Sequence, residues 1–279
     1  MGTASYPENL EEVLEGFSSA GRRLNDIGAV EAGAGNISAA FNWDVDIPSY
    51  FPHTKDIDLP YHSPALAGYT VLVTGSGTRL RDLAHDPGRN LGAVVVHEGG
   101  DTATVHYRKT ENFDVPTSEF NSHLAVHQDQ IAERALPFHA VIHAQPPNLV
   151  MLSHMPQYTS TEELNRAVLR WEPETIVQLR EGIGYLPFMI PGSDELMRAN
   201  VKNLRKYQIV MWQKHGVMAR SDTSPLRASD RIEYAETGAM YEYKNLVLGS
   251  PAPGLSDEEL NRVVEAFNVD TELYKKSGK

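Results

Sequence analysis

Val141-Ile142-His143-Ala144-Gln145 reads as a buried strand that ends by turning one imidazole and one carboxamide to the same side. Alternate residues of a strand share a face, so His143 and Gln145 project in parallel from Cα atoms about 6.6 Å apart. Side chains at that separation can converge on one ion, and a third donor must then come from elsewhere. His215 is the candidate, because it follows the apolar run Ile209-Val-Met-Trp212 and precedes Gly216, where a strand delivers a side chain to the rim of a sheet. The competing reading is structural: a histidine beside an apolar strand is often just hydrogen-bonded, and a neutral amide is a poor donor to zinc. His139 shares the face of His143 but lies about 13 Å away, too far to bind the same ion.

Outward from this strand, hydrophobic periodicity sets the other elements. Leu10, Val13, Leu14, Phe17 and Leu24 have helical spacing that stops at Gly28. Strands are expected at Ile37–Phe41, Tyr69–Val73 and Gly92–His97, the last pairing with Thr102–Tyr107 across Glu98-Gly-Gly-Asp101. Helices are expected after Thr117-Ser118, from Pro146 or Pro147 to His154, and behind the capping-box sequence Ser160-Thr-Glu-Glu163. Ile176–Leu179 reads as a strand, Ser193–Lys206 as a helix and Gln208–Trp212 as a strand. Ser224-Pro225 opens a long helix that stops near Gly249, and Ser256–Glu259 caps a final one. Strands with both local and distant partners between layers of helices give the expected fold class. It is α/β, a layered α/β/α sandwich around a central mixed, largely antiparallel sheet. Simple strand–helix alternation is missing, which argues against a purely parallel sheet.

Composition narrows the function classes. The 279 residues, 41% of them hydrophobic, suffice for one sizeable core, and no linker or internal repeat divides them, so one domain spanning 1–279 is expected. Thirty-seven acidic against 25 basic side chains give a net charge of -12. With no basic cluster beyond Lys275-Lys276, nucleic acid and anionic membrane are not expected partners. The absence of cysteine excludes disulfides, thiolate metal sites and a cysteine nucleophile, and fits a cytoplasmic protein. Met1–Leu10 lacks the basic start and apolar core of a signal peptide, and no apolar run approaches the length of a membrane span.

Three loops share a chemistry. Gly33–Asn36, Thr74–Gly77 and Thr117-Ser118 each offer backbone N–H groups and short polar side chains, the equipment of a phosphate cradle. None is a Walker loop or a dinucleotide fingerprint, and taken singly each could simply turn a corner. Glu119 follows the third loop in what reads as the first turn of a helix, where it could serve either as a reactive carboxylate or as a complement to the helix dipole. His123 and His127, at i, i+4, could chelate an ion or lie on an exposed helical face.

Several separated stretches together resemble the class II aldolase and adducin family. They are Val73-Thr-Gly-Ser-Gly77, Val115-Pro-Thr-Ser-Glu119, Leu186-Pro-Phe-Met-Ile-Pro-Gly-Ser-Asp-Glu195 and His215-Gly-Val217. Most of the chain is covered, and the similarity is greatest to family members that split L-rhamnulose 1-phosphate into dihydroxyacetone phosphate and L-lactaldehyde through a metal-stabilised enediolate. The resemblance implies that Glu119 is the base and that Gly33, Asn36, Ser76, Gly77, Thr117 and Ser118 bind the substrate phosphate. It implies a second functional glutamate, Glu174 in Trp171-Glu-Pro-Glu174, contributed to a neighbouring subunit of a homotetramer whose sites lie near subunit interfaces. It further implies one divalent ion per subunit, expected to be Zn2+, held by His143, Gln145 and His215.

Two departures qualify this. The family usually has His-x-His where this chain has His143-Ala-Gln145, and an extra asparagine where Gly33 stands. The amide weakens the metal set or favours a harder ion, and leaves room for Glu119 to move onto the metal when no substrate is bound. An aldolase or epimerase for another sugar phosphate, or an adducin-like interaction module without catalysis, are the alternatives that the same scaffold allows.

Overall fold

The computed structural model describes residues 6–109 and 113–274. Lys275-Lys276 lies outside the described residues. In chain order the regular elements begin with α1 (Leu10–Asp26), β1 (Asn36–Phe41), α2 (Ile47–Tyr50), β2 (His53–Asp58), β3 (Thr70–Thr74), β4 (Leu91–Val96) and β5 (Thr102–Tyr107). Then come α3 (Phe120–Arg134), β6 (Phe138–Ala144), α4 (Pro147–Ser153), α5 (Thr161–Val168), α6 (Pro173–Gln178) and β7 (Gly184–Leu186). α7 (Asp194–Leu204), β8 (Ile209–Trp212), β9 (Gly216–Ser221), α8 (Pro225–Val247) and α9 (Asp257–Ala266) complete the order.

The strands form one nine-stranded sheet in the order β2-β5-β4-β3-β1-β6-β9-β8-β7. Every neighbouring pair is antiparallel except β7 with β8, so the sheet is mixed and largely antiparallel as expected. The pleat sends alternate residues of β6 to opposite faces. Ala140 and Ile142 pack with Val13 and Phe17 of α1, Leu149 of α4 and Ile232 of α8, whereas Val141 packs with Leu196 and Leu204 of α7 and Val126 of α3. Helices therefore cover both faces, which makes the sandwich.

Capping follows local chemistry. The side chains of Asn9, Ser193, Ser224 and Ser256 each accept from a backbone N–H in the first turn of the helix they open, and Ser256 with Glu259 forms a complete capping box. Ser160 accepts from Glu163 N, but its hydroxyl rather than its backbone N–H meets the Glu163 carboxylate, so that box is only half made. Ile176–Leu179 is not a strand. Ile176 lies in α6, which Pro173 opens from the first position, where a proline costs no hydrogen bond. Among the described residues, no helix is long and apolar enough to cross a membrane.

Sheet register positions the site. Asn36 at the start of β1 sits opposite His143 near the end of β6, and Ala144 opposite Val217 at the start of β9. β3 ends beside them, with Ile37 N donating to Thr74 Oγ1. An isolated bridge between Gly75 and Pro116 then draws the loop before α3 against the loop after β3. Four strand ends and one helix start thus meet at one edge of the sheet.

Candidate active site

One cleft of about 240 Å³ is lined by all three small-residue loops and by Glu119, His143, Gln145 and His215. Gly33, Asn36, Ser76, Gly77, Thr117 and Ser118 all face it, so the structure brings together every phosphate-binding candidate. Gly33 has so little room that a Cβ there would come within 3.2 Å of Gly77 O, and Gly77 itself turns at φ +78°, a region that favours glycine. Among the described residues, the N–H groups of Gly33, Gly77 and Ser118 have no backbone acceptor. Among the described residues no lysine or arginine lines the cleft, so an anion there would be held by backbone and hydroxyl donors.

Glu119 occupies the N-cap position of α3 rather than its first turn, and the residue is 6% exposed. Asn36 Nδ2 donates to Glu119 Oε2 at 2.9 Å, while Glu119 Oε1 is buried without a partner. Burial pushes the Glu119 carboxyl up, but His143, the Asn36 hydrogen bond, His123 and His215 outweigh it and bring its pKa below the ordinary value. Asn36 thus spends one amide hydrogen and its oxygen inside the protein, leaving a single side-chain N–H for a ligand.

His143 stacks on Trp212 with ring centroids 4.5 Å apart, and its Nδ1 donates to Val217 O at 2.9 Å. That bond fixes the tautomer and leaves the Nε2 lone pair facing Glu119 Oε2 at 3.6 Å, too long for a hydrogen bond. His215 lies in the β8–β9 turn, edge-on to His143 at 4.9 Å, with Nε2 3.9 Å from Glu119 Oε1 and Nδ1 unpartnered. Burial first, and the neighbouring His143 second, push His215 down to about 4, so at neutral pH its ring is an uncharged donor. Gly216 makes this packing possible, since a Cβ would meet Ala144 O at 2.4 Å and His143 Cε1 at 2.8 Å.

Glu119, His143 and His215 can each bring one ligand atom within 4.8 Å of the others. A carboxylate and two imidazoles, one of them held by a carbonyl through its second nitrogen, are a donor set suited to a divalent ion: both Nε2 atoms face Glu119, and its unpartnered Oε1 is a buried atom such an ion would satisfy. Gln145 also lines the cleft. With its amide turned so that nitrogen meets carboxylate, it donates to Glu31 Oε1 at 2.6 Å and Oε2 at 3.0 Å, which leaves its oxygen uncommitted.

Glu174 does not line this cleft and is exposed on α6. His123 and His127 are not on an exposed face but are fully buried, because α3 is enclosed between the sheet and α7. His139 is likewise buried and pairs with His127. The sequence reading missed Pro191 and Gly192 as lining residues. Asn121 Nδ2 donates to Gly192 O at 2.8 Å and ties that loop to the start of α3. The Pro-Gly pair after an apolar run was the available signal.

Residues 15–243 match the family described as Class II Aldolase and Adducin N-terminal domain. The chain belongs to this family. A rhamnulose-1-phosphate aldolase of Bacteroides thetaiotaomicron is 27% identical over 93% of this chain and 99% of its own length. One of Klebsiella pneumoniae is 31% identical over 86% of this chain and 87% of its own. Among solved structures, a sugar-phosphate aldolase of Thermotoga maritima superposes with a TM-score of 0.73 at 26% identity, covering 88% of this chain and 99% of that one.

Proposed function

We propose that this protein is a metal-dependent lyase that reversibly cleaves L-rhamnulose 1-phosphate to dihydroxyacetone phosphate and L-lactaldehyde. The observation that carries the reading is the meeting, in one cleft, of a cradle of backbone and hydroxyl donors and a carboxylate with two imidazoles. Phosphate recognition and proton chemistry then lie one small sugar apart. The rhamnulose-1-phosphate aldolases similar to this chain support the choice of substrate.

In this reading Gly33, Asn36, Ser76, Gly77, Thr117 and Ser118 hold the phosphate and fix the reacting end, converting a loose encounter into an oriented one. Glu119 takes a proton from the hydroxymethyl carbon beside the ketone in the condensation direction and returns it to that carbon in cleavage. Its low pKa keeps it ionised as a base, and burial keeps water from competing. His143 and His215 would hold the divalent ion, Zn2+ in our proposal, with the Gln145 oxygen as third donor when Glu119 is at work. Such an ion would supply Lewis-acid stabilisation of the negative charge that develops on the ketone. Glu174 would serve the aldehyde half of a neighbouring subunit's substrate in a cytoplasmic homotetramer.

A panel of ketose 1-phosphates, L-rhamnulose and L-fuculose derivatives among them, tests the substrate through release of dihydroxyacetone phosphate. Cleavage of the rhamnulose ester at the highest kcat/KM is expected, and preference for another ester would reassign the aldehyde pocket. Mixed oligomers of Glu119→Gln and Glu174→Ala subunits test the shared site: activity above that of either parent is expected, and none above it would remove Glu174 from the neighbour's chemistry.

A further inference from the structure

Behind Glu119, four buried side chains continue the hydrogen bond that Asn36 makes to it. Asn36 Oδ1 meets His123 Nε2, and Ser38 Oγ bridges His123 Nδ1 at 2.6 Å and His127 Nε2 at 2.7 Å. His127 Nδ1 then meets His139 Nδ1 at 2.8 Å. Ser38 and all three histidines have no exposed surface. They come from adjacent strands β1 and β6 and from α3, which lies over them.

Chemistry allows one arrangement of hydrogens along this line. Ionised Glu119 can only accept, so Asn36 presents its NH2 group there and its oxygen to His123. That oxygen also only accepts, so His123 carries its hydrogen on Nε2 and receives the Ser38 hydroxyl at Nδ1. Ser38 in turn accepts from His127 Nε2–H, and His127 Nδ1 accepts from His139 Nδ1–H. His139 Nε2 is left as a bare lone pair, and that atom is buried without a partner. The assignment needs neutral rings. Burial keeps all three neutral, pushing His123 down to about 3, and Arg220 and Arg134 add to the effect at His139.

Every donor therefore points toward Glu119. Hydrogen bonds aligned head to tail polarise one another and strengthen the last of the series. The line ends blind at His139, so it holds a carboxylate rather than conducting protons to solvent. It holds only Oε2, and the other oxygen, Oε1, is the one left without a partner. We infer that Ser38, His123, His127 and His139 form a one-way relay that acts through Asn36 to anchor Glu119 Oε2 and leave Oε1 as the reacting oxygen. The kinetic consequence rests on the assignment of Glu119 as the base; the direction of the relay does not.

Two measurements separate those parts. Nitrogen NMR of the full chain labelled with 15N-histidine at neutral pH is expected to show neutral His123 and His127 protonated on Nε2 and neutral His139 protonated on Nδ1. The opposite tautomer or a cation at any of the three overturns the relay, whatever the enzyme acts on. Ser38→Ala removes the central hydroxyl. It is expected to lower kcat about 10-fold, the scale of lost outer hydrogen-bond partners, and to slow exchange of the dihydroxyacetone phosphate hydroxymethyl proton with D2O equally. KM should stay within about twofold, and Ser38→Thr, which keeps the hydroxyl, should recover most of the rate. Unchanged kcat and exchange in folded Ser38→Ala would overturn the positioning role. The tautomers are read on the unaltered protein, so they decide the matter if Ser38→Ala does not fold.

Discussion

Two groups of histidines meet Glu119, and they differ in how their nitrogens are used. His143 and His215 each keep a nitrogen with no hydrogen bond, at the edge of a cleft. His123, His127 and His139 lie deeper and use every ring nitrogen but one on each other, on Ser38 or on Asn36. His143 is as buried as the interior three and His215 is partly buried, so burial alone does not tell a ligand from a scaffold. What separates them is whether the donor atom already has a partner. A buried polar atom without one costs free energy unless something else satisfies it.

The sharpest way to break this contrast is at the carboxylate that the two groups share. Glu119→Gln keeps the shape and removes the charge, and it is expected to cut turnover of the phosphorylated substrate by about 10^3-fold, within the range for general acid–base groups. Dihydroxyacetone phosphate release measures it, with circular dichroism to confirm folding. Turnover near the starting level would show that the proton moves elsewhere.

A smaller effect is expected from the backbone that lets the open pair approach. Gly216→Ala places a Cβ against Ala144 O and His143 Cε1, so strand or ring must shift. Such overpacking costs about 1–3 kcal/mol, and thermal denaturation should show a lower Tm. An unchanged Tm would mean that the β6–β9 junction yields without cost.

The interior group is sharpened by pH. An unfolded histidine titrates at 6.5, whereas folded His123 does so at about 3, and His127 and His139 are also lowered. Between those values the unfolded chain binds more protons, so stability rises with pH across the window. These rings therefore leave the fold unpenalised above pH 6.5, and stability is lost as the pH falls toward 3. His139→Phe should flatten the slope by at most about 1.4 kcal/mol per pH unit. Denaturant midpoints at a series of pH values read it, and an unchanged slope would mean that His139 titrates alike in both states.

Much of this was legible in the chain, for identifiable reasons. β1, β3, β4 and β6 are rich in apolar side chains and buried almost throughout because both sheet faces are covered, and α1, α7, α8 and α9 announce themselves by caps. β2, His-Thr-Lys-Asp-Ile-Asp, escaped because an edge strand with mostly exposed side chains has no apolar signature. β7 has only three residues, and β9 holds a buried Arg220 that interrupts its pattern. The run Ile176-Val177 suggested a strand through its β-branched residues, while Pro173 already marked a helix start. In the site, strand alternation placed His143 and the loops announced the cradle. The relay was hidden because it joins residues up to 89 positions apart, and because i, i+4 histidines on a helix look alike whether they face solvent or a sheet.

The proposed chemistry requires the Glu119, His143 and His215 cluster to hold a divalent ion. Titration of metal-stripped protein with Co2+, followed by its visible absorption, reads that binding without recourse to turnover. One equivalent per chain is expected to bind, with affinity reduced at least about 10-fold in His215→Ala. No binding, or equal binding by that variant, would contradict the claim.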